Sequence, residues 1–255
     1  MRPSMRPWIV LFGGAGREAV LHALREQGIR ILKVIVPVRQ SERLRATVRE
    51  LSTTFPDIEA VDRESLGDRL AFAPDAVLLS IGYPYHIPRS VFSRNPLAIN
   101  LHPTRLPAYR GPTTGAYVIV NAESSTGSTV HLLEDEVDRG AVVAQSLVAL
   151  TPFDTLRSMQ RKVYASEPGL LIEAIQKLDD GVPLQPQDER HATSFPKVRT
   201  PEDSRIDPGQ PLIDLVHEIR ACDPNEFPAY FLYHGQRVCI RLWRPDRTNA
   251  ADDEL

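Results

Sequence analysis

A chain of 255 residues with 42% hydrophobic and 25% charged side chains has the composition of a folded globular protein, which excludes a largely disordered chain. Thirty lysines and arginines against 33 aspartates and glutamates leave a net charge of −3, a balance that disfavours a nucleic-acid clamp. No apolar run approaches the roughly 18 residues that span a bilayer. The two cysteines, Cys222 and Cys239, form no disulfide framework, and glycines interrupt the first apolar run too early for a secretory leader, so a cytoplasmic protein with no membrane partner is expected.

Taken in chain order, Trp8 to Phe12 is a continuous apolar run closed by Gly13 and Gly14, the pattern of a strand buried on both faces. Ala15, Ala19, Val20, Ala23 and Leu24 recur at helical spacing, and Gly28 stops them. Ile31 to Val38 reads as a second strand and Ser41 to Leu51 as a polar helix, with further buried strands at Ala76 to Ile81 and Leu97 to His102. Strands alternating with helices predict an α/β fold with a Rossmann-like, mostly parallel sheet. Pro103 to Gly115, with three prolines and two glycines, is an ordered loop. A helix to about Asn121 follows, then strands at Ser128–Leu133 and Ala141–Leu150 flanking the acidic stretch Glu134 to Gly140. Asp154 to Leu178 is the longest helical stretch. Leu156, Met159 and Val163 lie on one face and Leu171, Ala174, Ile175 and Leu178 on another, and Pro168-Gly169 is expected to kink or divide it.

Beyond about residue 182 proline and polar residues increase. A helix, Leu212 to Ala221, precedes two alternating runs, Ala229–Tyr233 and Val238–Trp243, joined by His234-Gly235-Gln236 as a hairpin. The expected division is a Rossmann-like catalytic domain over 1–184 and a small C-terminal helix plus β-hairpin subdomain over 185–255, with the final dozen residues frayed. The apolar residues of the hairpin suit packing on its own domain or on a partner, and a homodimer through it is expected.

Two segments suggest chemistry. Gly14-Ala15-Gly16-Arg17-Glu18-Ala19 fits G-x-G-x-x-A between a strand and a helix, where a dinucleotide pyrophosphate meets a helix N-terminus. The second strand ends at Val36-Pro37-Val38-Arg39 without the acid that holds a ribose hydroxyl. Arg39 and Arg43 would suit a 2′-phosphate, so one reading is an NADP-dependent oxidoreductase; a tight turn, or a phosphate of another ligand, explains the glycines equally. The second segment is Asn100-Leu101-His102-Pro103. Residues two apart on a strand share a face, and Pro103 places Asn100 and His102 at the strand's end, where open parallel sheets bind ligands. An amide donor beside an imidazole of pKa about 6.5 suits acyl transfer, with the amide steadying an oxyanion and the imidazole moving a proton. A hydrogen-bonded strand terminus is the plain alternative.

The wider pattern is more specific. Asn100 to Gly111 (Asn-Leu-His-Pro-Thr-Arg-Leu-Pro-Ala-Tyr-Arg-Gly) is followed by Thr126-Gly127-Ser128-Thr129-Val130-His131 and then Asp138-Arg139-Gly140. This order resembles the formyltransferases that use 10-formyltetrahydrofolate, over about Ala76 to Gly181. Arg199 to Asp207 resembles the second-domain signature of the members that act on methionyl-tRNA or on nucleotide-linked amino sugars. The resemblance implies a catalytic trio of Asn100, His102 and Asp138, with Asp138 orienting His102 and raising its pKa. It implies folate contacts at Tyr85, His86 and Ile87 and at Glu134, Asp135 and Glu136; Tyr109 and Arg110, with Arg105 as a guanidinium suited to an anionic group, are the expected contacts of the amine substrate. His131 matches a family histidine, or fills a strand position. No step of direct amine attack requires a metal. Thr104-Arg105 and Arg139 depart from the usual residues and bear on the substrate.

Three amines compete. Methionyl-tRNA calls for backbone recognition by positive charge, which this net-acidic chain does not advertise. Glycinamide ribonucleotide enzymes normally lack the Pro-Glu-Asp-x-x-Ile-Asp segment and the terminal hairpin. A nucleotide-linked amino sugar fits best. The rival from another class is a non-catalytic nucleotide- or folate-binding module on the same fold.

Overall fold

The computed structural model describes residues 2–244. The elements in chain order are β1 (Trp8–Phe12), α1 (Ala19–Glu26), β2 (Ile31–Pro37), α2 (Glu42–Leu51), β3 (Ile58–Val61), α3 (Leu66–Leu70), β4 (Val77–Ile81), α4 (Arg89–Phe92) and β5 (Leu97–His102). They continue with α5 (Gly115–Val120), β6 (Ser125–Thr126), β7 (Thr129–Leu132), β8 (Val142–Gln145), β9 (Val148–Ala149) and α6 (Leu156–Asp179). Last come α7 (Leu212–Arg220), β10 (Tyr230–Tyr233) and β11 (Gln236–Cys239). The end expected to fray lies outside the described residues apart from its first positions.

Seven strands form one sheet in the order β3-β2-β1-β4-β5-β7-β8. The first five are parallel, β7 joins β5 antiparallel and β8 joins β7 antiparallel, so β7 alone opposes the rest. The chain winds outward from β1 in one direction, then returns to its other side, which is the doubly wound topology the alternation predicts. β1 and β4 are buried along their whole length because both faces are covered. Trp8, Val10 and Phe12 pack with α1, α2 and α6 residues on one face. Ile9 and Leu11 pack with Leu66, Leu70 and Phe92 on the other. That second face has only the short helices α3 and α4. Ala98 lies under them, and by alternation Asn100 and His102 continue the same face beyond them.

Three expectations are corrected. The run Ala141–Leu150 is two strands, β8 and β9, because β9 leaves the main sheet to pair with β6. The proline in α6 does not divide it; the helix runs unbroken from Leu156 to Asp179. The hairpin turn is two residues, not three: Tyr233 pairs with Gln236, and His234 and Gly235 both take positive φ (47° and 78°), as a tight primed turn requires. Residues after 184 return to the sheet and to the loop that follows β5, since Gln185 bridges Val142 of β8 and Ser194 bridges Arg110.

Candidate active site

Strand β5 delivers the first two groups of the site. The β5–β7 register sets His131 directly opposite Asn100, so Asn100, His102 and His131 share one face. The loop after β7 brings the fourth. Gly140 lies so close to the Leu132 carbonyl oxygen that a Cβ would collide with it. Asp138 takes a positive φ of 58°. This tight return carries the carboxylate back across the end of β5.

The distances define the cluster. Asp138 Oδ2 accepts the Gly111 backbone N–H at 2.8 Å and lies 3.5 Å from His102 Nδ1. Its Oδ1 lies 3.5 Å from both Asn100 Nδ2 and His131 Nε2. His102 Nε2 donates to the Tyr109 carbonyl at 2.9 Å. A carbonyl only accepts, so the proton sits on Nε2 and the other ring nitrogen, Nδ1, faces Asp138. His131 Nδ1 likewise donates to the Leu132 carbonyl at 2.8 Å, leaving Nε2 to accept the Asn100 amide at 3.1 Å.

The electrostatics correct one expectation. Burial pushes the His102 pKa down, and the opposing pull of Asp138 does not overcome it, while the charges of His131 and Arg17 act with burial. His102 is therefore held below its usual range, as a neutral imidazole, rather than raised. Burial acts to raise Asp138, but the facing His102 and His131 and the Gly111 N–H outweigh it and keep the group a carboxylate. A neutral imidazole nitrogen, a carboxylate and an amide donor thus converge on one place, which is the equipment for moving a proton while steadying an oxyanion.

The two segments expected at the folate meet each other. His86 Nε2 approaches the Asp135 carbonyl at 3.2 Å, and Arg89 pairs with Glu134 at 3.8 Å and Asp135 at 3.5 Å. Glu136 pairs with Arg139 at 2.7 Å. Tyr85 stands edge-on to Tyr83 with ring centroids 5.5 Å apart, and Ile87 is buried in the second-face core. The Tyr83 hydroxyl is buried with no partner among the described residues, and its burial pushes its pKa up to about 12.

The expected amine contacts fare differently. Arg105 is exposed. Arg110 is instead buried, and its fork is committed to Gln187 and, at 2.7 and 2.9 Å, to Glu189. The Tyr109 hydroxyl donates to Glu123 at 2.6 Å and its ring stacks on Phe195, so it is Tyr109's backbone carbonyl that reaches the cluster. Both side chains anchor the loop. The reason is local: residues 193–195 run beside 107–110 and exchange backbone bonds with them.

Sequence reasoning missed four participants. The Gly111 N–H and the Gln187 amide, which donates to the Asp138 and Gly140 carbonyls at 2.8 Å each, leave no side-chain pattern at their spacing. The Arg17–Glu167 pair joins residues far apart in the chain. In the glycine turn, a Cβ on Gly13 would strike the Gly82 carbonyl, and one on Gly14 would lie 2.7 Å from Arg17 Cδ. The glycines are thus explained by a tight turn, with Arg39 and Arg43 exposed beside it.

The family model "Formyl transferase" matches residues 17–175. A methionyl-tRNA formyltransferase of Roseiflexus is 31% identical over 215 residues; the alignment covers 83% of this chain and 59% of the relative, so the chain spans less than two thirds of that protein's length. Among solved structures, a 4-N formyltransferase from Francisella tularensis superposes with a TM-score of 0.76 at 18% identity, covering 94% of this chain and 98% of that one. An N-formyltransferase from Helicobacter canadensis, solved with folinic acid and dTDP-3-aminofucose, superposes with a TM-score of 0.64 at 16% identity, covering 87% and 80%. On the family match, which takes in β5, the Asn100–His102 pair and Asp138, the chain belongs to the formyl transferase family.

Proposed function

We propose that the protein transfers the formyl group of 10-formyltetrahydrofolate to the amine of a nucleotide-linked amino sugar. The observation that carries the reaction is the convergence of Asn100, His102 and Asp138 at the open end of β5. The amine nitrogen attacks the formyl carbon; the new C–N bond forms and the bond to the folate nitrogen breaks. Asn100 donates to the oxygen of the tetrahedral intermediate. His102 Nδ1, flanked by Asp138, takes the proton the amine loses, and that proton goes to the departing folate nitrogen.

The folate fits the second segment pair. Tyr85, His86 and Ile87 would line one wall and Glu134, Asp135 and Glu136 the other, where His86 already meets the Asp135 carbonyl. Arg105, exposed on the loop that carries Tyr109 and Arg110, is the side chain we assign to the nucleotide's phosphates. Support for a sugar amine comes from the fold match to sugar N-formyltransferases, which continues through the part of the chain after residue 185. The division into 1–184 for transfer and 185–255 for the appendage, a homodimer through the hairpin and a cytoplasmic setting belong to the same proposal. The free thiols of Cys222 and Cys239 suit a reducing compartment.

The names of the curated relatives favour a second reading, methionyl-tRNA. Incubation with 10-formyltetrahydrofolate and a panel of nucleotide-linked amino sugars, alongside methionyl-tRNA, separates the two. A product heavier by one CO on a sugar nucleotide is expected. Formylation of the tRNA alone overturns the substrate, and no formylated product at all overturns the reaction.

A further inference from the structure

The arginine in the glycine turn does more than fill it. Arg17 is 2% exposed and its partner Glu167, on α6, is fully buried. The guanidinium grips the carboxylate with two bonds, Nε to Oε2 and Nη2 to Oε1, each 2.7 Å. Ser128, at the start of β7, donates to the same carboxylate at 2.7 Å. Arg17 Nη2 also donates to the Leu101 carbonyl at 2.9 Å. Leu101 is the residue between Asn100 and His102, and it marks the last pairing of β5 with β4. The side chain of Leu101 packs in the core under α6 while its two neighbours carry the site on the opposite face.

A buried ion pair is an expensive way to hold a fold, because apolar residues of similar volume commonly serve stability as well or better. What such residues lack is the donor on the Leu101 carbonyl and a charge near His102. We propose that the Arg17–Glu167 pair is a positioning device for formyl transfer: it fixes the end of β5, and with it the orientation of Asn100 and His102 toward Asp138. This rests on the formyl-transfer reading above. It also explains why the turn excludes a side chain at Gly14, across which the arginine lies. The charged and titratable groups around His102 are Asp138 from the loop after β7, His131 from β7, and Arg17 from the turn, with Glu167 behind it. Of these, Arg17 acts with burial to keep the imidazole neutral.

The test compares wild type with Arg17→Met/Glu167→Leu and with Arg17→Lys. The double variant is expected to keep its melting temperature, to lose about ten- to hundredfold in kcat, as a misplaced group does, and to change the folate KM by less than about twofold. The acid limb of its kcat profile should move to higher pH, since a positive charge near His102 is gone. Arg17→Lys keeps the charge and loses the fork; it should lose kcat without moving the limb. Wild-type kcat and an unmoved limb in the double variant overturn the proposal. If that variant does not fold, wild-type kcat in Arg17→Lys overturns it. The His102 ring followed by NMR needs no turnover: ring shifts displaced from wild type in the double variant are expected, and ring shifts identical to those of wild type overturn the proposal. Absence of formyl product from wild type instead removes the reaction on which it rests.

Discussion

His102 is buried, and its protonation state is set by what surrounds it. Its folded pKa lies below the unfolded value of about 6.5, so the unfolded chain binds the extra proton first. The stability that depends on the neutral ring is present above that unfolded value and is lost as pH falls through the depressed one. Activity follows the same sign. The acid limb of kcat should lie below pH 6.5; a limb at or above that value would show that the pull of Asp138 outweighs burial, and activity that falls as pH rises through this range would show an imidazolium as the working form. His102→Asn should cost about a hundredfold or more in kcat, the usual scale of a lost acid–base group, with near-normal folate binding by fluorescence titration. Asn100 and His102 were legible together because strand alternation and the proline after them fix face and position. Asp138 was legible only through family resemblance, since a loop residue 36 positions beyond His102 has no periodicity to place it. The side chains of Tyr109 and Arg110 looked like substrate contacts for their chemistry, but their partners Glu123, Gln187 and Glu189 belong to segments whose approach no local pattern announces.

At the scale of elements, α6 shows how burial overrides propensity. Pro168 forgoes a ladder bond, yet the helix continues because its two halves are held separately. Met159 and Val163 pack against α5, and Leu170, Leu171, Ala174 and Ile175 pack under the sheet. The two apolar faces read from the sequence are these two contacts. A Thr155–Ser158 capping box closes the N-terminus. Gly169, next to the proline, is exposed, and a Cβ there would meet nothing within 4 Å. Gly169→Ala should therefore stabilise the protein by about 0.5–1 kcal/mol, read as a rise in thermal midpoint, with kcat unchanged. A fall in the midpoint would mean that this turn of helix needs the glycine's freedom. The break between β8 and β9 escaped the sequence because both halves are equally apolar, and only the pairing of β9 with β6 separates them.

Across the whole molecule, the hairpin leaves Tyr233 and Val238 exposed on one face and Leu232 on the other, β11 is exposed along its length, and Trp243 is exposed beyond it. Exposed apolar side chains gathered at one end of a molecule in this way are commonly covered by another chain. Light scattering at micromolar concentration should give twice the mass of one chain, and Leu232→Asp/Val238→Asp should return the monomer; a wild-type monomer removes the dimer from the proposal. The C-terminal helix is also fastened to the segment before α6. Arg220 on α7 donates to the Pro152 and Asp154 carbonyls before α6, and Asp154 holds Lys162 at 2.6 Å. The parallel sheet and the helix–hairpin order were readable from pattern, but this fastening was not, because it is made by isolated polar residues on distant segments.

Gln187 gives that attachment its sharpest consequence. Its amide spans two carbonyls of the aspartate-bearing loop while its oxygen receives Arg110 of the facing loop. One neutral side chain, contributed from beyond residue 184, thus ties together the two arches that carry the candidate site. On the proposed division at residue 184, cutting the gene there would spare Asn100, His102 and Asp138 and still let the two loops drift apart, so the front portion would not be a detachable module to be grafted onto other recognition units.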